Sequence, residues 1–312
     1  MSQITNYLLM IEPVGFRYNE QTATNNYYQQ VLEGLTPKQT QERALREFSD
    51  FVDALRSKGV NVITIKDTRS PDTPDSIFPN NWVSFHRDGK IGLYPMCAPN
   101  RRQERREDIF DTLVDDHHFQ ISEIIDFTEF EQHDKFLEGT GSMILDRVNK
   151  LCYAAISIRT DEQAVMQFCD AFDYQPVCLT ANQTVNNQRL PIYHTNVMMC
   201  VATDFAVICL DTIDEKEERT HVIEMLQQSG KQIIEITEEQ KHHFAGNMLQ
   251  VMGKEPILVM STSAYNSLTD QQIKQIETHC PILHSSLDTI EACGGGSARC
   301  MMAEIFLPNT KQ

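Results

Sequence analysis

Residues 142–179 read SMILDRVNKLCYAAISIRTDEQAVMQFCDAFDYQPVCL and contain the order of elements that decides the fold. Two apolar strands are predicted, from Ser142 to Asp146 and from Leu151 to Ile156, with a short polar turn between them. Helical spacing of apolar residues follows from Thr160 to Tyr174, and a further strand runs from Gln175 to Leu179. The unit is therefore strand, strand, helix, strand.

The helix-to-strand part of this unit recurs on both sides of the stretch. A helix predicted from Pro37 to Lys58 is followed at once by a strand from Val60 to Ile65. Another helix, from Glu215 to Gly230, leads into a strand from Lys231 to Thr237. No linker rich in Pro, Gly or Ser interrupts the series. The sequence therefore predicts one α/β domain over residues 1–312.

The amino-acid composition argues against two classes of binding partner. Lys and Arg number 27 against 44 Asp and Glu, which leaves a formal net charge of −17. Such a charge repels the phosphate backbone of nucleic acids and the anionic surface of membranes. We therefore expect neither nucleic acid nor a membrane as a partner. The sequence also lacks a run of about 18 apolar residues, which a spanning helix requires.

The cysteines and histidines bear on compartment and on metal binding. Nine cysteines, most of them in apolar runs, predict reduced, buried thiols in a cytoplasmic protein. There is no C-x-x-C spacing, and the pairs His117–His118 and His242–His243 have no second pair of ligands nearby, so no metal is expected. The start, MSQITNYLLMIEP, has no basic residue and is predicted to be a strand and not a signal peptide.

Five short segments depart from ordinary core or surface composition. Three of them are TPDSIFPNNW (73–82), FLEGTGS (136–142) and YHTNVMMC (193–200). They carry, in turn, two adjacent amides after a proline, a carboxylate before a glycine turn, and a histidine at the mouth of an apolar strand. Taken alone, each is more often a turn, a loop or a structural histidine than a functional site.

The other two segments supply a thiol and positive charge. In GGGSARCMMAEIF (294–306) a glycine run places Cys300 at the start of a predicted strand, either as an exposed nucleophile or as a buried thiol behind a flexible loop. Arg101 and Arg159 each follow a predicted strand. Arg in the first turn of a helix opposes the macrodipole and invites an anionic partner, although a solvated helix start is the alternative.

The spacing of these residues matches the repeated unit. From Asn81 to Glu138 is 57 residues, from Glu138 to His194 is 56, and from His194 to Cys300 is 106, or twice 53. One residue therefore recurs per unit, with one unit skipped. If the units surround a common axis, we expect these side chains to meet at the centre, where ring-like repeat folds bind their ligands.

Together the segments resemble the arginine deiminase and amidinotransferase superfamily, also called penteins. The stretches TPDSIFPNNWVSF, APNRRQE, FLEGTGS, SIRTDEQA and YHTNV are similar to their counterparts in dimethylarginine dimethylaminohydrolases, in order and in spacing. The ending GGGSARCM resembles instead the nucleophile motif of arginine deiminases. The resemblance implies a five-blade, pseudo-symmetric α/β propeller built from strand-strand-helix-strand repeats.

The resemblance also implies roles for individual residues. Cys300 would attack the central carbon of a guanidino or ureido group, His194 would act as general acid and then as base, and Glu138 would orient His194 or hold a substrate nitrogen. Two arginines would grip the α-carboxylate of an amino acid. No cofactor is implied, because a thiolate and water suffice. The residues expected to bind the substrate are Asp75, Asn80, Asn81, Arg101, Arg159 and Asn196.

Two departures from the superfamily pattern point to the substrate. Guanidine-cleaving relatives place acids at the positions of Asn81 and, in the deiminases, Asn196, whereas both are amides here. A guanidinium offers only donors and suits carboxylates, but a neutral ureido group has a carbonyl acceptor and N–H donors and suits Asn. We therefore expect a hydrolase that converts citrulline to ornithine, carbon dioxide and ammonia. In this it resembles the citrulline-utilisation hydrolase branch of the superfamily.

Two alternatives remain open at this stage. One is a guanidino-group hydrolase or amidinotransferase that keeps Asp75 and Glu138 as its acids. The other is a binding protein for arginine-like amino acids that has no catalytic activity. The expected partner is a small amino acid in all three cases, and the sequence leaves the oligomeric state open.

Overall fold

The computed structural model describes residues 2–311, in which helices and strands alternate as a mixed α/β fold. Seventeen strands occur within that range. In chain order the strands are β1 (Tyr7–Glu12), β2 (Asn61–Lys66), β3 (Val83–Phe85), β4 (Lys90–Leu93), β5 (Glu123–Asp126), β6 (Met143–Asp146), β7 (Leu151–Ala155), β8 (Gln175–Leu179), β9 (Asn182–Val185), β10 (Gln188–Pro191), β11 (Met199–Val201), β12 (Phe205–Ile208), β13 (Gln232–Glu235), β14 (Leu249–Met252), β15 (Pro256–Ser261), β16 (Ile282–Ser285) and β17 (Ala303–Glu304).

The helices lie between the strands, mostly before the last strand of each sheet. Short 3₁₀ turns precede several of the strands, and some of these turns contain predicted site residues. The α-helices are α1 (Glu20–Ala23), α2 (Pro37–Ser57), α3 (Asp108–Asp115), α4 (Gly139–Ser142), α5 (Glu162–Phe172), α6 (Lys216–Gln228), α7 (Glu238–His242), α8 (Thr262–Ser267), α9 (Asp270–Glu277) and α10 (Asp288–Gly294).

Five of the sheets share one strand arrangement. Each has three strands, with the central strand antiparallel to the first and parallel to the third. A helix connects the parallel pair, as a parallel connection requires. The sheets have the orders β3-β4-β5, β6-β7-β8, β11-β12-β13, β14-β15-β16 and β17-β1-β2.

The last of these sheets joins the two ends of the chain. Strand β17 pairs antiparallel with β1, so that Leu8 lies opposite Glu304 and Leu9 opposite Ala303. Strand β1 in turn pairs in parallel with β2 along its whole length. The first strand of this sheet therefore comes from the end of the sequence, and its other two strands come from the beginning.

Helix α2 illustrates how the sequence produces these elements. Thr36 and Gln39 form a capping box, in which each side chain accepts from the other residue's backbone N–H. The C-cap is Lys58, and Gly59 follows with φ of +90°, which ends the helix. One face of the helix packs into the core against β1 and β2 and consists of Ala44, Phe48, Phe51, Val52 and Leu55.

The structure confirms the order of elements predicted for residues 142–179 and corrects some boundaries. Strands β6 and β7 pair antiparallel, and β8 lies parallel to β7. Helix α5 begins at Glu162 because Asp161, and not Thr160, is its N-cap: the Asp161 side chain accepts from the N–H of Ala164. The β9–β10 hairpin was not predicted and extends beyond the repeated unit.

The cysteines are all free thiols. Seven of the nine are buried, and Cys97 and Cys178 are half-buried. Across residues 2–311 no helix has both the length and the apolar composition needed to cross a membrane. The same part of the chain contains no cluster of three or more His, Cys, Asp or Glu side chains arranged to hold a metal ion.

Candidate active site

One polar side chain stands just before the first strand of each three-stranded sheet. Asn81 ends a 3₁₀ turn ahead of β3, and Glu138 precedes α4 and β6. Asn196 lies in the turn ahead of β11, and Cys300 in the turn Ala298–Met301 ahead of β17. Cys300 thus stands three residues before the strand, and not at its start as predicted.

The fifth such residue, Asn247, was missed by the sequence analysis. It stands two residues before β14, 53 residues after His194 and 53 before Cys300. The unit that was thought to be skipped is therefore occupied. The equal spacing alone could have predicted Asn247. Its local sequence, AGNMLQ, has no feature that distinguishes it from an ordinary loop.

The Cys300 thiol is buried and is held by two carboxamides. Asn196 Nδ2 donates to Cys300 Sγ at 3.3 Å, and Asn247 Nδ2 donates to it at 3.2 Å. Asn247 Nδ2 also donates to the Asn196 carbonyl oxygen at 2.9 Å, and Asn247 Oδ1 accepts from the Arg299 N–H at 3.0 Å. Asn247 therefore positions both the sulfur and the backbone next to it.

The glycine run ahead of Cys300 is fixed in place. Tyr193 OH donates to the Gly295 carbonyl at 2.6 Å, and Asn26 Nδ2 donates to the same oxygen at 3.2 Å. Ser297 Oγ donates to Glu291 Oε1 at 2.5 Å. These hydrogen bonds hold the glycine run, so it is not the flexible loop that the sequence left open as an alternative.

His194 and Glu138 form a buried pair. His194 Nε2 lies 2.7 Å from Glu138 Oε2. An ionised carboxylate only accepts hydrogen bonds, so Nε2 carries the proton of the neutral imidazole and Nδ1 is left as the basic nitrogen. Burial lowers the pKa of His194 to about 4, although the hydrogen bond and the charge of Glu138 act in the opposite direction.

Two arginines surround the Glu138 carboxylate. Arg159 Nη1 lies 3.4 Å and Arg101 Nη1 4.0 Å from Oε2, while Oε1 accepts from the Cys97 N–H at 2.9 Å. Burial raises the pKa of Glu138, but Arg159, the hydrogen bond from His194 and Arg101 together hold it far below its usual range. Glu138 is therefore an anion at neutral pH.

Arg101 is buried and largely engaged within the protein. Its Nε and Nη2 donate to the two oxygens of Glu104, each at 2.9 Å, and Nη1 donates to Asn81 Oδ1 at 2.8 Å. Nη2 also lies 3.3 Å from the Phe78 carbonyl. Glu104, whose pKa burial raises to about 7, was not predicted from the sequence, although it lies three residues after Arg101.

Arg159 is covered by an N-terminal segment, residues 19–30, that the sequence analysis also missed. Arg159 Nε donates to Asn25 Oδ1 at 2.8 Å, and Nη2 donates to the Thr22 carbonyl at 2.9 Å. Its guanidinium also lies over the Tyr193 ring, 5.0 Å from the centroid. The segment has only one short helix and no apolar periodicity, so nothing in its pattern pointed to the site.

Asp75 faces the same segment. Its Oδ2 accepts from Asn19 Nδ2 at 2.7 Å and from Thr22 Oγ1 at 3.0 Å, and it lies 4.0 Å from Arg101 Nε. Its Oδ1 is buried with no hydrogen-bond partner in residues 2–311. Burial raises the pKa of Asp75.

Asn80 and Asn81 pack on the glycine turn of FLEGTGS. Asn81 Nδ2 donates to Asn80 Oδ1 at 3.2 Å, and Asn80 Nδ2 donates to Thr140 Oγ1 at 3.3 Å. A Cβ at Gly141 would lie 2.4 Å from Asn81 Nδ2 and 2.9 Å from the His194 ring. Glycine is therefore required at position 141 for His194 and Asn81 to occupy their places.

The predicted site residues converge on one small cavity. Three of them do not line the cavity, but each is hydrogen-bonded to a residue that does: Asn80, Glu138 and Asn196. The cavity measures about 10 Å³, room for about one water molecule, so it is too small for an amino acid in this conformation. Its lining includes Asp75, Asn81, Arg101, Arg159, His194 and Cys300, together with Thr22 and Asn26 of the covering segment.

Comparison with known proteins identifies the family. The sequence model of the family described as N,N dimethylarginine dimethylhydrolase, eukaryotic, matches residues 12–307. The chain belongs to this family. Membership confirms the predicted superfamily and the predicted enzyme class, a cysteine-dependent hydrolase of carbon–nitrogen bonds other than peptide bonds. No curated protein sequence matches the chain.

Several solved structures have a similar fold. Apo ArgZ, an arginine dihydrolase from the ornithine–ammonia cycle in cyanobacteria, superposes with a TM-score of 0.72 at 19% identity over 97% of this chain. The match covers only 41% of that ArgZ chain, but 99% of its N-terminal domain solved with substrate, at a TM-score of 0.70 and 19% identity over 96% of this chain. A dimethylarginine dimethylaminohydrolase bound to S-methyl-L-thiocitrulline matches over 97% of this chain and 100% of its own, with a TM-score of 0.65 and 13% identity.

Proposed function

We propose that the chain hydrolyses the ureido group of a small amino acid, most simply citrulline, to ornithine, carbon dioxide and ammonia. The observation that carries the proposal is the set of groups around the thiol. Among residues 2–311 the side chains that hydrogen-bond Cys300 Sγ are those of Asn196 and Asn247, both of them neutral amides. A third amide, Asn81, lines the same cavity.

Amides suit a ureido group because each supplies both an acceptor and donors. Asn196 Oδ1 is buried without a partner in the described residues, so it can accept an N–H of the substrate beside the sulfur. A guanidinium at this place would bring a positive charge close to Arg101 and Arg159, and the side chains that hydrogen-bond the sulfur include no carboxylate. A buried charge without a partner costs several kcal/mol.

The reaction begins with the thiol. Cys300 Sγ bonds to the ureido carbon while its proton passes to His194 Nδ1, the nitrogen that is free to accept it. The bond from that carbon to one nitrogen then breaks, and His194 returns the proton to the leaving amine. Glu138 holds the ring at Nε2 throughout and stabilises the imidazolium that forms between the two transfers.

Water completes the reaction. It attacks the carbonyl carbon of the thiocarbamate on Cys300 and gives its proton to His194. The carbon–sulfur bond breaks and the thiol is restored. The carbamic acid released then decomposes to carbon dioxide and the second amine, so atoms balance whichever nitrogen leaves first.

Arg159 is placed to bind the substrate's α-carboxylate. Its Nε and Nη2 donate to Asn25 Oδ1 and to the Thr22 carbonyl, and a carboxylate can take over both hydrogen bonds when residues 19–30 move aside. Arg101 contributes less to this grip, because Glu104, Asn81 and the Phe78 carbonyl occupy four of its five N–H donors.

We further propose that residues 1–312 are one domain whose five three-stranded sheets are blades around this cavity. Each sheet supplies one polar residue just ahead of its first strand. An arrangement with a common axis brings those five positions together, and the proposed reaction needs them together.

A guanidino hydrolase is the second candidate. It is favoured by Asp75, whose Oδ1 is a buried acceptor without a partner and suits a guanidinium donor. The N-terminal domain of ArgZ, which shares the fold, is that of an arginine dihydrolase. The two candidates therefore differ in whether the substrate group that reaches Cys300 is charged.

Side-by-side turnover of citrulline, arginine, agmatine and dimethylarginine separates the two candidates. We expect kcat/KM for citrulline to exceed that for arginine by about 100-fold or more, because of the uncompensated cation. Asn196→Asp is expected to lower citrulline turnover and raise that of arginine, while Asn187→Asp in the exposed β9–β10 turn changes neither. Faster consumption of arginine than of citrulline by the unmodified chain would overturn the ureido proposal.

The pH dependence of turnover reports on His194. Because burial lowers the pKa of this histidine to about 4, kcat/KM for citrulline should stay level from about pH 7 to 5 and fall only near pH 4. The unfolded chain binds a proton at its ordinary pKa of about 6.5, so His194 costs stability as the pH falls from 6.5 towards 4. Circular dichroism at each pH separates unfolding from loss of activity. An acid limb centred near pH 6.5 in a folded protein would contradict the assignment.

A further inference from the structure

A second cavity lies away from the catalytic one, at the opposite ends of two of the same strands. Strand β3 follows Asn81 and leads into His86, and β6 follows Glu138 and leads into Arg147. The cavity measures about 140 Å³ and shares no residue with the catalytic cavity. It is lined by Ser2, His86, Arg87, Asp88, Arg147, Lys150, Phe172, Tyr174 and Phe306.

The lining is strongly positive in an otherwise acidic chain. Arg87, Arg147 and Lys150 face one carboxylate, Asp88, which leaves two positive charges around this small space. His86 adds no charge at neutral pH, because burial and the charges of Arg147 and Lys150 hold its pKa well below the usual range. The whole chain carries −17, so the net positive charge of this lining is opposite to that of the chain.

Arg147 shares a carboxylate with another buried arginine. Its residue is only 7% exposed, and its Nη2 lies 3.5 Å from Glu304 Oε2, beyond ordinary hydrogen-bond length. That same oxygen accepts from Arg299 Nη2 at 3.0 Å. One carboxylate therefore serves two buried guanidinium groups, which leaves this group of three with a net positive charge that an external anion can balance.

Aromatic rings hold the basic groups in position. The Phe306 ring has the Arg147 guanidinium 4.1 Å and that of Arg87 5.3 Å from its centroid. Lys150 Nζ lies 4.7 Å from the Tyr174 centroid and donates to the Phe172 carbonyl at 3.0 Å. The donors are therefore arranged before any ligand arrives, which lowers the entropy cost of binding.

We propose that this pocket binds a small dianion, in which two negative charges sit on clustered oxygens, as in a phosphate group or a dicarboxylate. The two arginines supply planar, paired donors that match such oxygens, and Lys150 supplies a point charge beside them. The volume limits the anionic part to a few heavy atoms. The pocket is a binding site separate from the catalytic one, and it stands at the far ends of the strands that carry Asn81 and Glu138.

Calorimetric titration of the full chain tests the proposal, with inorganic phosphate and with succinate as probes at constant ionic strength. We expect at least one probe to bind at one site per chain. Arg87→Gln and Arg147→Gln should each weaken its affinity about tenfold, because each removes a charge-assisted contact. Arg43→Gln, which removes the same charge from the exposed face of α2, should leave the affinity unchanged.

The outcomes distinguish a phosphate-bearing ligand from a dicarboxylate, and two of them would refute the proposal. Binding of phosphate alone assigns a phosphate-bearing ligand, and binding of succinate alone assigns a dicarboxylate. The proposal is overturned if neither probe binds, or if Arg87→Gln binds the probe as tightly as Arg43→Gln. Arg87 is exposed, so its variant keeps the test valid if Arg147→Gln does not fold. No turnover is measured, so failure of the ureido proposal leaves this result unaffected.

Discussion

Replacing Cys300 by alanine should reduce kcat for citrulline by about 10⁴-fold or more, because the covalent route disappears with the thiol. The variant should fold normally, since the substitution removes one buried sulfur and leaves its two donors, Asn196 and Asn247, hydrogen-bonded elsewhere or free to bind water. Stopped assays of ornithine release measure the loss. Binding of citrulline to the inactive variant, measured by calorimetry, should persist.

A matched thiol controls the Cys300 experiment. Cys178→Ala removes a half-buried cysteine on β8, outside the site, and should keep full activity. A chloroacetamidine probe should add its mass to Cys300 in the unmodified chain and in Cys178→Ala, but not in Cys300→Ala. Residual turnover within tenfold of the unmodified chain would show that another group is the nucleophile.

The Glu138→Gln variant should lose both activity and stability. Removing this carboxylate leaves Arg159 and Arg101 without their shared buried anion, which costs about 3–5 kcal/mol in the free energy of unfolding. It also replaces a carboxylate, which can only accept, by an amide whose NH2 group can face Nε2 and shift the proton of His194 to Nδ1, and kcat should fall about 10³-fold. Urea denaturation at pH 7 and turnover at saturating citrulline measure the two effects.

An exposed glutamate serves as the control for Glu138. Glu129→Gln removes the same charge from an exposed turn and should change the free energy of unfolding by less than about 0.5 kcal/mol. If Glu138→Gln were as stable and as active as Glu129→Gln, the buried carboxylate would have neither role.

Local patterns predicted several elements of the fold. The capping residues and apolar spacing of α2 mark a helix that the structure contains, α6 lies within the second predicted helix, and the pattern after each helix marks the parallel strand. These features depend on neighbours a few residues apart, which the sequence displays directly. The 53- to 57-residue spacing added long-range information, because it linked residues in corresponding positions of successive sheets.

The remaining parts of the site depend on contacts between distant segments. Residues 19–30 cover the cavity through side chains such as Asn25, whose partner Arg159 is far away in the sequence and not predictable from local pattern. The engagement of Arg101 by Glu104 and Asn81 likewise needed coordinates. The basic cavity joins strand ends from separate sheets, so its charges were scattered singly along the sequence.

The pairing of β17 with β1 has a consequence for the order in which the chain folds. Leu8 and Glu304 lie almost at opposite ends of the sequence, so their pairing closes a very long loop. Closing a long loop costs more conformational entropy than closing a short one, and this cost precedes most of the stabilising contacts. Cys300 sits just ahead of β17 and takes its place only when that loop closes. We therefore expect a refolding chain to form its hairpins and helices before Cys300 reaches its place.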